Sequence, residues 1–159
     1  MLAAAALALS ILGSGDRTQI VTRSVKVGDW TAKVRSDQFT GEVSCSLVGR
    51  RISLHRDTLV FHLGRDIDTS QAFFRIDGGP ARSVREPRLE NETHGFFLDS
   101  GPISNPSGGE VALPLSIVLG AKKVYVRASA RYQPRAFDLS GFAQALAAAK
   151  AAGCKDASF

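Results

Sequence analysis

A chain of 159 residues, 44% hydrophobic and 22% charged, has the apolar content for one cored domain and lacks the composition of a disordered one. Its net charge of +5 is dispersed, as in Arg50-Arg51, Arg82/Arg85/Arg88 and Lys122-Lys123, with no block of five or six like charges, so nothing signals a nucleic-acid arm. What remains is a basic surface able to attract anionic groups such as phospholipid headgroups or polysaccharide.

Residues 1–15, MLAAAALALSILGSG, carry no charge and are rich in Ala and Leu. The run is shorter than the ~20 apolar residues a spanning helix needs. It matches the apolar core of a secretory signal, with Gly13-Ser14-Gly15 as the small residues before a cleavage at Asp16. No Lys or Arg precedes the run, which a start further upstream would explain, and an Ala-rich helix of the fold is the alternative reading. The expected organisation is a signal over 1–15 and one domain over 16–159, without a transmembrane span in the mature chain.

QIVTRSVKVGDWTAKVRS alternates apolar and polar side chains on both sides of Gly28-Asp29, which predicts two strands and a turn. Asp37 to Gly41 punctuate a second turn. EVSCSLV then places Val43, Cys45 and Leu47 on one face, so the Cys45 side chain is expected to point at a core. ISLH and TLVFHLG follow as strands around Arg56-Asp57. AFFRIDGGPARSV predicts a hairpin turning at Asp77-Gly78-Gly79, and THGFFLD one more strand. SGPISNPSGGE has the composition of a surface loop. VALPLSIVLGAKK is ambiguous, suiting a short helix that begins near Pro114 and ends at Gly120. VYVRASAR is a strand that would carry both Arg127 and Arg131, and RAFDL extends the sheet. Phe142, Ala145, Leu146 and Ala149 recur at helical spacing, which predicts a final helix capped by Asp138 or Ser140 and ended by Gly153. Six to nine strands with one long helix predict a mainly β fold, an antiparallel β-sandwich or partly closed barrel with one C-terminal α-helix.

Cys45 and Cys154 are the two cysteines, and they enclose 108 residues. In an oxidising compartment they allow one intramolecular disulfide, clipping the end of the last helix to an early strand. Two separate thiols are the competing reading. A structural zinc site lacks its four ligands, and no C-x-x-C redox pair is present.

GDWTAKVRSDQFTGEVSCSL and LGAKKVYVRASARYQPRAFDLSGFAQAL, the latter through Leu139, Gly141, Phe142, Ala145 and Leu146, resemble the opening and the C-terminal pattern of the invasion-associated locus B proteins and their relatives. The resemblance covers the first and last quarters of the mature chain. It implies an exported, β-rich, non-catalytic protein of the bacterial envelope and carries no catalytic residues.

Chemistry-bearing residues are few. His55-Arg56-Asp57 lacks the other motifs of a kinase and reads as a turn. His55 and His62 flank a predicted hairpin and, with Asp57 or Asp66, would be metal ligands only if they met across strands; surface polar residues are the expectation, with no metal and no cofactor. His94, beside Glu92 and near Asp99, is the best acid–base candidate for a small periplasmic hydrolase. No G-x-S-x-G elbow marks a nucleophilic serine. Trp30, the single tryptophan, is expected in the core. Arg75, Arg82, Arg85, Arg127 and Arg131 would make a basic patch for carboxylates or phosphates if they shared one face. The leading expectation is therefore a periplasmic or secreted binding or structural module whose partner is another envelope protein or an anionic surface. The hydrolase is one alternative. A subunit of a secretion or surface assembly, marked by an open sheet edge or apolar patch, is the other.

Overall fold

The alternation in the first third of the chain becomes a run of antiparallel strands. The computed structural model describes residues 20–86, 104–105, 108–155 and 159. The predicted signal, the strand expected around Phe96 and the candidate residues Glu92, His94 and Asp99 lie outside them. Strand β1 (Ile20–Val27) turns at Gly28-Asp29 into β2 (Trp30–Asp37), and β3 (Val43–Gly49), β4 (Ile52–His55) and β5 (Thr58–His62) follow. The chain then forms the hairpin β6 (Phe73–Ile76) and β7 (Arg82–Ser83). It returns through β8 (Ser104–Asn105) and β9 (Glu110–Pro114) to helix α1 (Leu115–Val118). Strands β10 (Lys123–Arg127) and β11 (Arg135–Asp138) and helix α2 (Phe142–Ala151) complete it.

Two antiparallel sheets result. Sheet one has the order β1-β2-β3-β4-β5-β9-β8, and sheet two β11-β10-β6-β7, with neither closed into a barrel. The fold is the expected two-layer β architecture with a C-terminal helix. The eleven strands among the described residues exceed the six to nine expected, because two-residue strands such as β7 and β8 carry too little pattern to read. β9 was hidden for another reason. Val111, Ala112 and Leu113 are buried on both faces, so the segment shows no alternation, and only its pairing with β5 identifies it. Helix α1 does begin after Pro114. β10 stops at Arg127, four residues short of Arg131, which lies in the turn closed by Tyr132 N–H donating to Ser129 at 3.1 Å.

Sheet one is covered in two halves. Over β1–β3 lies α2, with Phe142, Ala145, Leu146 and Ala149 buried against Ala32, Val34 and Leu47. Over β5 lies sheet two, where the Phe61 and Phe137 rings meet edge to face at 5.2 Å and Arg135 donates to the Leu63 carbonyl. Trp30 is buried as expected, packs on Phe142 at 4.9 Å and donates Nε1–H to the Ser140 carbonyl at 3.0 Å. The helix start differs from the expectation. Gly141, at φ 78°, is the N-cap, and neither Asp138 nor Ser140 caps by its side chain. Asp138 instead accepts the Ser140 N–H at 2.7 Å, which shapes the turn into the helix.

Cys45, on the inner face of β3, is bonded to Cys154, two residues past the helix C-cap Ala152, with a Cα–Cα distance of 6.0 Å. Reduction, or Cys45→Ser with Cys154→Ser, is expected to cost about 2–5 kcal/mol in denaturant unfolding, with α2 the first element to lose amide protection in hydrogen exchange. A second constraint joins β5 to β9. Leu63 N–H donates to Gly109 at 2.8 Å, and Gly109, at φ 62°, passes so close to Gly64 that a β-carbon would overlap the Gly64 carbonyl. Gly109→Ala combines that clash with a left-handed backbone and is expected to lower the unfolding midpoint well beyond what an exposed Gly→Ala change does.

Candidate functional site

The outer face of sheet two is set by strand parity. Phe74, Val124 and Val126 point inward and are buried, so Phe73 and Arg75 of β6 and Tyr125 and Arg127 of β10 point outward. The register places Tyr125 opposite Arg75 and Arg127 opposite Phe73. Each opposed pair is a guanidinium on a ring: Arg75 Cζ lies 4.9 Å from the Tyr125 centroid and Arg127 Cζ 5.7 Å from that of Phe73. With Ala81 and Pro134 they line a shallow hollow of about 160 Å³. Neither arginine forms an ion pair with a carboxylate among the described residues.

The five arginines singled out in the sequence are therefore not equivalent. Arg82 pairs with Phe74 in the register and so lies on the inward side at the sheet edge, its Cζ 5.2 Å from the Phe74 ring. There its Nε and Nη2 both donate to Glu86 Oε2, at 3.1 and 2.5 Å. Arg85 donates to the Ser70 carbonyl at 2.9 Å. Arg131 is exposed in its turn. Two of the five, Arg75 and Arg127, stand together on the outward sheet face.

The outer face of sheet one carries a polar relay that sequence reasoning missed. His62 is directly opposite Glu110, and its Nδ1 lies 3.0 Å from Oε1 of that carboxylate. Its Nε2 lies 3.0 Å from the Ser53 hydroxyl on β4. The tautomer that satisfies all three groups carries its proton on Nδ1, donates to Glu110 and accepts from Ser53. Both His62 and Glu110 are partly exposed. Ser53 is opposite Val48 of β3, whose side chain is 46% exposed, so the relay opens toward β3. On that side a trough of about 570 Å³ runs along β2 and β3, lined by Asp29, Thr31, Lys33, Ser46, Val48 and Arg50 among others. His55 lies at the other end of the β4–β5 hairpin, opposite Thr58, so the two histidines do not converge. No cluster able to hold a metal is found among the described residues. No motif marks the relay, because Glu110 is 48 positions beyond His62 and only the β5–β9 register unites them.

Other exposed features are scattered. Phe39, 78% exposed, caps a β2–β3 turn in which Asp37 accepts the Phe39 and Thr40 N–H groups at 2.8 and 3.2 Å. Among the described residues β1 pairs with β2 alone, which leaves its other edge open, and no described helix is long and apolar enough to cross a membrane. Compared with family models, curated proteins and solved structures, the chain matches none.

The Arg82 guanidinium holds the Glu86 carboxyl below the usual carboxylate range. A depressed folded-state pKa adds stability above the unfolded value, and that stability is lost as pH falls through the folded one. In Arg82→Gln the Glu86 carboxyl is expected to titrate higher by NMR. Because the pair is about one-third exposed, the stability difference from wild type should stay within ~1 kcal/mol near neutral pH and close in acid.

Proposed function

We propose that the protein is an exported binding module of the cell envelope, and that the outer face of sheet two takes an anionic group. The observation that carries this reading is the pair of arginines, Arg75 and Arg127, each with its guanidinium over a ring, Tyr125 and Phe73, beside an open hollow and without carboxylate partners among the described residues. A guanidinium stacked on a ring keeps its in-plane donors, so it meets a carboxylate or phosphate with little side-chain entropy left to lose. The rings and Pro134 offer flat apolar contact for the body that bears the anion. Export is supported by the Cys45–Cys154 disulfide, by the uncharged run at 1–15 and by the resemblance of the terminal motifs to the invasion-associated locus B proteins.

The test is cosedimentation with phosphatidylglycerol vesicles and retention on an acidic polysaccharide resin, each against a neutral counterpart. The wild type should bind one of the two anionic supports in a salt-sensitive way. Arg75→Ala with Arg127→Ala should weaken it at least tenfold, from about 1.5 kcal/mol or more per lost charge-assisted contact. Arg131→Ala should change it little. Equal binding by wild type and the double variant, or binding by neither, overturns the reading.

A further inference from the structure

Ser53, His62 and Glu110 stand in an order that a cross-strand staple does not require. Two opposed residues, His62 and Glu110, already make a complete polar pair across β5 and β9. His62 also turns Nε2 onto a hydroxyl two rungs back, on the far side of its own strand, since Ser53 is opposite Val60. An imidazole with Nδ1 on a carboxylate and Nε2 on a hydroxyl can take the hydroxyl proton while the carboxylate stabilises the imidazolium that forms. We propose that Ser53 is a nucleophile for acyl transfer, that His62 is its general base, and that Glu110 orients His62.

The trough beside Ser53 defines the substrate class. It carries the cationic side chains Lys33 and Arg50 together with the carboxylate of Asp29 and the hydroxyls of Thr31 and Ser46, and meets Ser53 through Val48. It suits the hydrophilic body of an O-acyl ester, such as an acylated carbohydrate whose hydroxyls meet these charged and polar groups, with the acyl carbonyl placed at Ser53. Ser53 lies within β4 between two paired strands, so a developing oxyanion there meets no turn's free N–H groups. That weaker stabilisation selects esters over amides and predicts slow turnover.

The chemistry balances with water as co-reactant. Ser53 Oγ bonds to the ester carbonyl carbon and its proton passes to His62 Nε2. The tetrahedral adduct collapses, its C–O bond to the alcohol breaks, and the alcohol leaves with the proton from Nε2. Water then attacks the acyl-serine, giving one proton to His62. The Oγ–C bond breaks, the carboxylic acid departs and Ser53 regains its proton. Ester and water become acid and alcohol. This activity is independent of the arginine face, which lies on the other sheet.

A fluorophosphonate probe tests it on the intact chain, with adducts located by peptide mass mapping. Ser53 Oγ would bond to phosphorus, fluoride would leave and the proton would pass to His62. One adduct is expected, at Ser53 and absent from Ser53→Ala. Labelling should slow about 100-fold or more in His62→Gln, the scale of general-base assistance. Glu110→Gln should slow it too, and is the variant to use if His62→Gln fails to fold by circular dichroism. p-Nitrophenyl acetate hydrolysis should fall in parallel. No adduct at Ser53, or equal labelling of Ser53 in a folded His62→Gln or Glu110→Gln protein, overturns the proposal. A Ser53→Ala protein that still binds the anionic support keeps the two activities separate.

Discussion

Helix α2 is fastened at both ends, and the inner half of sheet one depends on it. Ten residues make a helix too short to persist alone in water. This one starts at a glycine without a side-chain cap, so its order comes from tertiary contacts. At the start, Trp30 holds the Ser140 carbonyl and packs on Phe142. At the end, Cys154 N–H donates to Ala149 at 3.1 Å while its sulfur is bonded to Cys45. Between these points small residues, Ala145 and Ala149, let the helix lie close on the sheet. Without that lid, Ala32, Val34 and Leu47 would face solvent on two neighbouring strands. The disulfide therefore does more than shorten the unfolded chain. It closes one of the two covers that make the first sheet's inner face dry.

With α2 over β1–β3 and sheet two over β5, one core cluster runs from Trp30 to Phe137, and no buried side-chain polar atom is left without a partner among the described residues. Recognition by the described residues is left to the outer faces. The two outer faces have different chemistry. Sheet two offers cations on aromatic rings, which suits holding an anion. Sheet one offers a hydroxyl, an imidazole and a carboxylate in hydrogen-bonded series beside a trough, which suits moving a proton.

The hairpins were legible because each joins an alternating run to a turn that its residues favour. Gly28, at φ 57°, and Asp77, whose carboxylate accepts the Lys122 and Lys123 N–H groups at 3.0 and 2.8 Å, are turn residues with a visible task. The cross-link was legible because two cysteines permit one bond. Trp30 was legible because a tryptophan in an alternating strand costs most when exposed. What could not be read shares one cause, long-range register. β9 is apolar on both faces and announces no period. Ser53, His62 and Glu110 are ordinary polar residues until β4, β5 and β9 are placed side by side. The arginines could be divided only in part. Parity puts Arg75 outward from Phe74, but Arg82 takes its side of the sheet from its pairing with Phe74, and Arg131 depends on where β10 stops.

How each arginine near sheet two is used separates structure from recognition. Arg135 holds the two sheets together through the Leu63 carbonyl, Arg82 is bound to Glu86, and Arg85 donates to Ser70. Each of these guanidiniums is occupied by a protein oxygen, and replacing one removes a local tie. Arg75 and Arg127 are held by rings instead. A ring fixes the position of a guanidinium through its face and leaves the N–H edges unused, so the charge is ordered before any anion arrives. Ordering a cation without neutralising it lowers the entropic cost of binding, which is the physical reason to look for the ligand of this protein on that face.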